Sequence, residues 1–248
     1  MKPKTEELLY WLLWLADERG SVRMLGEKER EILQLCDVER TFLSVNAKPY
    51  LTRNRLPDGV DAVQLTEEGI RLGLGGVDLD QEWGREWDGK WRMVLFDLPE
   101  TLRWLRLRIR RMLKDSHFGN LQNSVWITPW DLTPIRMAMG EGGADVGKLA
   151  TFEGTPGIGE TAEDIVAQAW NWEKINTAYE QHAEFLKECP QKSALVEWVE
   201  WAREERQRWR EILQLEPRLP KALYPEGYPG ETVWRQRLLV LSSLGQRI

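Results

Sequence analysis

From Thr5 the chain reads TEELLYWLLWLADERG, a run whose apolar stripe, acidic first turn and terminal Gly20 predict an amphipathic helix with Thr5 as N-cap. Gly26 to Leu35 predicts a second, shorter helix. Asp37 can cap a third, which runs through Val38, Phe42 and Val45 to about Ala47 before Pro49 stops it. Two extended runs follow, YLTRNRL and VDAVQL, on either side of Pro57-Asp58-Gly59, and this pattern predicts a hairpin. Three helices followed by a β-wing predict a winged helix-turn-helix over residues 1–80. Leu65 to Gly69 opens one more helix, and the glycines at 73, 75 and 76 with Asp78, Asp80 and Glu82 mark a connection whose linker core is 81–87.

From Trp91 the pattern changes. WRMVLFDLP is an apolar strand, and in TLRWLRLRIRRMLK the residues Leu102, Leu105, Ile109, Met112 and Leu113 share one helical face, leaving Arg103, Arg106, Arg110 and Arg111 on the rest. LQNSVWITP reads as a second strand and KLATFE, 148–153, as a third. A strand, a helix and further strands predict an α+β domain of split-βαβ, ferredoxin-like type over 88–160. Residues 161–248 predict a helical domain. Thr161 caps a helix to about Lys187, Ser193 another through Trp198, Trp201 and Trp209 to Leu213, and the last runs from Thr232 to Leu244.

Composition narrows the class. With 42% hydrophobic and 30% charged residues the chain can bury a core under a solvated surface. The longest apolar stretch, Leu8 to Ala16, is too short for a bilayer, and no secretory leader pattern opens the sequence, so a cytoplasmic location is expected. The two cysteines, Cys36 and Cys189, and the two histidines, His117 and His182, complete no ligand spacing, so packed thiols and neither a metal nor another cofactor are expected. Fourteen tryptophans point to packing before binding.

The net charge of −6 has the wrong sign for a surface that binds nucleic acid everywhere, so the distribution decides. Residues 1–80 carry 11 basic and 15 acidic side chains, yet Arg40 to Arg55 contains Arg40, Lys48, Arg53 and Arg55 and no acid. Read as a DNA surface, the third helix contributes Arg40, Thr41, Ser44, Asn46 and Lys48 to the major groove, while Arg53 and Arg55 on the wing hold phosphates. Read plainly, a solvated hairpin carries a few arginines. Asp97, at the end of the first central strand, likewise has two readings: a metal-binding carboxylate, or the acid that ends a strand and caps the helix after it.

The run Trp87-Asp88-Gly89-Lys90-Trp91-Arg92, then Val94 to Glu100, Phe118-Gly119, Leu121-Gln122 and Ser124 to Pro129, closely resembles the central domain of PaaX-like transcriptional regulators. The resemblance continues in PGIGE at 156–160, in Ala169-Trp170 through Ile175, in Tyr179 to Phe185, and in Leu219-Pro220, Tyr224-Pro225 and Tyr228-Pro229-Gly230. It implies a homodimeric, ligand-responsive repressor of a catabolic operon that binds double-stranded operator DNA. The effector it implies is an aromatic acyl-coenzyme A such as phenylacetyl-coenzyme A. The family's third helix is usually longer and richer in arginine than the one here. The central domain is also similar to the small metal-dependent nuclease-like protein of CRISPR adaptation, in which an aspartate stands where Asp97 does. A nuclease using Asp97, and an interaction module that has lost DNA binding, are therefore the alternatives to a regulator that is not an enzyme.

Overall fold

The structure is a computed structural model and describes residues 3–16, 21–23, 27–43, 49–55, 59, 61–141, 149–157, 159–191 and 193–244. The chain divides into two compact units. One comprises 1–78, 178–213 and 229–248; the other comprises 79–177 and 214–228.

The first unit begins with α1 (Pro3–Leu15), β1 (Ser21–Arg23), α2 (Glu27–Leu35), α3 (Glu39–Leu43), β2 (Leu51–Arg55), β3 (Asp61–Leu65) and α4 (Glu67–Gly73). The three strands form an antiparallel sheet in the order β1-β3-β2, with Leu51 opposite Leu65 and Arg55 opposite Asp61. Leu8, Leu9, Tyr10, Trp11 and Leu12 are all buried, so α1 is covered on every side instead of along the single stripe expected for a surface helix. Its neighbour α4 lies so close that a Cβ on Gly73 would come 2.9 Å from the carbonyl oxygen of Leu9. Thr66 caps α4, its hydroxyl accepting from the Gly69 N–H at 3.1 Å.

Three helices from the end of the chain complete this unit: α9 (Trp172–Lys187) from Ala178 onward, α10 (Leu195–Leu215) as far as Leu213, and α11 (Gly230–Ser242). They hold α1 by a buried polar cluster. The Tyr10 hydroxyl on α1 donates to Glu205 of α10 at 2.9 Å, and Arg237 of α11 donates to the same carboxylate at 2.6 Å and 3.4 Å. His182 of α9 lies 3.4 Å from it. The Arg237 guanidinium stands 4.5 Å over Trp209, which stacks on Trp234. Burial, the largest single influence, raises the Glu205 pKa, but the charge of Arg237 and the contacts of His182 and Arg237 together outweigh it and hold the carboxyl at about 2.

The second unit contains α5 (Leu79–Trp83), β4 (Trp91–Phe96), α6 (Arg103–Asp115), β5 (Gly119–Gln122), β6 (Val125–Thr128), α7 (Thr133–Glu141), β7 (Leu149–Gly154), α8 (Ala162–Ala169) and the first turns of α9. Its four strands are antiparallel in the order β5-β6-β4-β7, the arrangement of a split-βαβ, ferredoxin-like sheet. Val94 and Phe96 of β4 and Trp126 of β6 pack against Leu105, Ile109 and Leu113 of α6 and Ile135 and Met139 of α7, which makes the core. Charged side chains tie β4 to the edge strand β7: Arg92 binds Asp88 and, at 3.0 Å, Glu153, which also takes Lys90 at 2.8 Å.

Four local expectations change here. LQNSVWITP is two strands of a hairpin, β5 and β6, because the chain turns at Asn123-Ser124 after a bulge between Asn120 and Gln122. The helix α7, needed to cross from β6 to β7, is not among the predicted elements, although Asp131 accepts from the Thr133 N–H at 3.1 Å and Leu132, Ile135 and Met139 follow helical spacing. The helix predicted from Thr161 to Lys187 breaks after Ala169, where Asn171 accepts from the Lys174 N–H at 3.0 Å and starts α9. The predicted connection contains the helix α5, whose Leu79 and Trp83 are buried.

Candidate nucleic-acid interface and ligand pocket

Strand β2 is an edge of the first unit's sheet, and Thr52 to Arg55 are all exposed. Side chains alternate along it. Thr52 and Asn54 bond back to Gln64 at 3.3 Å and 2.9 Å, while Arg53 and Arg55 share the other face, about 7 Å apart along the strand. Arg55 donates to the carbonyl oxygen of Gly59 at 3.1 Å, tying the guanidinium to the hairpin turn, where Gly59 adopts a φ of 82°. Arg40, on α3, is exposed, and Thr41 is half-buried. Ser44, Asn46 and Lys48 lie outside the described residues.

Asp97 is exposed and directly follows β4. The helical turn at 100–102 starts from Pro99 without a side-chain cap, so the capping role expected for this acid has no bond to support it. Among the described residues no group of three or more histidines, cysteines, aspartates or glutamates could hold a metal ion. Both cysteines are buried free thiols, and burial pushes Cys36 up to about 11.

No pattern along the chain points to a pocket. The structure has one in the second unit, of about 230 Å³, where the end of α6, the hairpin β5–β6, the α8–α9 junction and residues 214–217 meet. Its wall is aromatic at Phe118, Trp126 and Trp170 and cationic at Lys114 and Lys174. Gly119 sits behind it because nothing larger fits: a Cβ there would lie 2.7 Å from Ala169 and 2.8 Å from the Trp170 ring. Among the described residues the buried Trp126 indole N–H has no hydrogen-bond partner.

His117, also in the wall, has a φ of 63°, and its Nδ1 lies 2.7 Å from the carbonyl oxygen of Glu216. A carbonyl only accepts, so Nδ1 carries the proton. Burial, then the charge of Arg218, lowers the imidazole pKa to about 4, against the pull of the carbonyl. The ring is therefore neutral at pH 7 and its Nε2 is an acceptor. Behind it the fully buried Glu216 carboxylate accepts from the hydroxyls of Tyr224 and, at 2.6 Å, Tyr228. Trp83 donates to the Tyr224 hydroxyl at 3.1 Å, and Trp172 packs edge-on to both tyrosines. Burial, then Glu216, raises the Tyr224 pKa well above the usual tyrosine value. Both tyrosines belong to the Tyr224-Pro225 and Tyr228-Pro229-Gly230 segments that carry part of the family resemblance, and they buttress the chain that lines the pocket.

Residues 84–166 match the family described as the PaaX protein central Cas2-like domain. The central domain is PaaX-like. The match spans the β4–α6–β5–β6–α7–β7 sheet unit and the start of α8. No curated protein matches the chain. Among solved structures, an uncharacterized protein from Mycobacterium tuberculosis, Rv0674, aligns with a TM-score of 0.56 at 18% identity. The alignment covers 98% of this chain and 96% of that one, so the two share a fold. Among the described residues no helix is long and apolar enough to cross a membrane.

Proposed function

We propose that this PaaX-like protein is a cytoplasmic transcriptional regulator that binds double-stranded operator DNA as a homodimer and responds to a small molecule. The observation that carries the reading is the PaaX-type central domain, and the order of the preceding elements supports it. A helix, a short strand, two helices and a two-stranded hairpin over residues 3–65 are the parts of a winged helix-turn-helix. In this reading α3 enters the major groove and Arg53 and Arg55 on β2 hold phosphates. Residues 1–80 read DNA, 88–160 set the dimer geometry, and 161–248 bias it when the effector binds. The effector's place is the pocket beside Trp170: aromatic walls suit an aromatic acyl group, and Lys114 and Lys174 suit an anion.

The test is binding of the protein to the DNA flanking its own gene, with a salt titration and the Arg53→Glu/Arg55→Glu variant alongside. A regulator binds specifically, weakens steeply with salt and loses affinity in the variant. No binding at low salt refutes the reading.

A further inference from the structure

The most basic stretch of the chain lies outside the winged segment. Residues 103–114 of α6 contain Arg103, Arg106, Arg108, Arg110, Arg111 and Lys114 and no acid. One side of this helix, at Leu105, Ile109 and Leu113, is core. Opposite it, Arg103, Trp104, Leu107, Arg108 and Arg111 fall within an arc of about 140°, given about 100° per residue. All five are exposed: the Arg103 and Arg111 side chains at 74% and 85%, Trp104 at 58%, Leu107 at 55%.

The arginines of this face are weakly held by the protein. Arg103 is 4.0 Å from Glu100 and Arg111 is 3.7 Å from Asp115, both exposed pairs that yield readily to a stronger anion. Arg108 has no ion-pair partner among the described residues. Arg106 and Arg110, by contrast, are turned inward to the protein, to Glu100 at 3.1 Å and to the Asn123 carbonyl at 2.6 Å. The helix thus sorts its own cations into structural and available ones.

We infer that the exposed face of α6 is a second DNA contact, which tracks the phosphate backbone of duplex DNA without reading its sequence. This rests on the regulator reading above and adds a surface to it. Arg103 and Arg111 are separated by about 12 Å along the helix, a span of about three phosphates of one strand. Guanidinium groups suit phosphate oxygens, and Trp104 and Leu107 between them suit the apolar edges of the sugars. A second copy of the chain is a poor occupant, because a two-fold axis through this face would set arginine against arginine. The need for such a surface is also visible. With 11 basic and 15 acidic side chains, residues 1–80 supply few cations of their own for phosphates.

The test uses the full-length protein, the duplex flanking its own gene and a scrambled duplex, each titrated with salt. The Arg103→Gln/Arg108→Gln/Arg111→Gln variant is expected to reduce the slope of log K against log[salt] by about 2.7 on both duplexes, about 0.9 for each phosphate that is no longer neutralised. The corresponding triple lysine variant keeps the slope, and its retention shows that the glutamine effect is charge and not misfolding. If the wild type binds DNA and the glutamine variant has the same slope, the inference is overturned and the regulator reading stands. If the wild type binds neither duplex, both fall. An unchanged DNA slope together with abolished binding to polyglutamate assigns the face to an acidic protein and also overturns it.

Discussion

Replacing Arg237 with methionine removes the cation from the buried cluster that joins α1 to the helices at the end of the chain. Glu205 is fully buried, and of its bonds two come from Arg237 and one from Tyr10. Without the guanidinium the carboxylate keeps the Tyr10 hydroxyl and the neighbouring His182, which is too little to replace the missing hydration of a charge. Breaking a buried ion pair from one side costs roughly 3–5 kcal/mol, equivalent to a fall in Tm of roughly 6–20 °C for a chain of this size.

The pH dependence has a defined sign. In the native protein Glu205 titrates at about 2, below the ordinary 4.5, so the stability it contributes is complete above pH 4.5 and is lost as pH falls from 4.5 to 2. In Arg237→Met burial is opposed by His182 without the guanidinium and the pKa rises, so the deficit against wild type is largest near neutrality and shrinks on acidification. Adding Glu205→Gln removes the stranded charge while leaving an acceptor for Tyr10, and should return the greater part of the stability. Urea unfolding followed by tryptophan fluorescence at pH 7 and pH 4 measures all three proteins. A cost below about 1 kcal/mol at pH 7, or a double variant as unstable as the single, would show that Arg237 acts by packing on Trp209 and Trp234 and refute the electrostatic account.

Two further predictions concern the pocket. In histidine-labelled protein, with His182 assigned by substitution, the His117 resonance should stay flat from pH 8 to about 5 and titrate near pH 4; a midpoint at the ordinary 6.5 would mean that the ring is not buried beside Arg218. Its depressed pKa implies stability that is present above 6.5 and lost as pH falls from 6.5 to 4. Gly119→Val forces a side chain against Ala169 and Trp170 and should cost roughly 1–3 kcal/mol in thermal unfolding; a neutral result would mean that the α8–α9 junction gives way without penalty.

Much of the secondary structure is legible along the chain because it depends on local spacing. Helices α1, α2 and α6, the hairpin of β2 and β3, and the strand β4 follow from periodicity and turn chemistry that act over a few residues. The errors also have local causes. Asn171 is a helix cap only if the chain turns there, and Asn123-Ser124 turns a strand into a hairpin only because β6 then pairs with β4. The arginines of β2 are readable as a charge asymmetry, whereas Asp97 stands out by its position alone and has gathered no metal-binding cluster among the described residues.

By itself, then, the sequence determined most of the helical and extended segments, the basic residues of β2 and the family likeness of the central domain, all carried by neighbouring residues. Only the tertiary structure decided which distant residues meet. Tyr10, His182, Glu205 and Arg237 join into one buried cluster, and Phe118, Trp170 and Glu216 enclose one pocket, across separations of up to 227 and 98 positions respectively. Those meetings depend on strand order, helix crossings and the burial of charge. Such quantities are set by the summed packing of the whole chain, and no local pattern of residues encodes them.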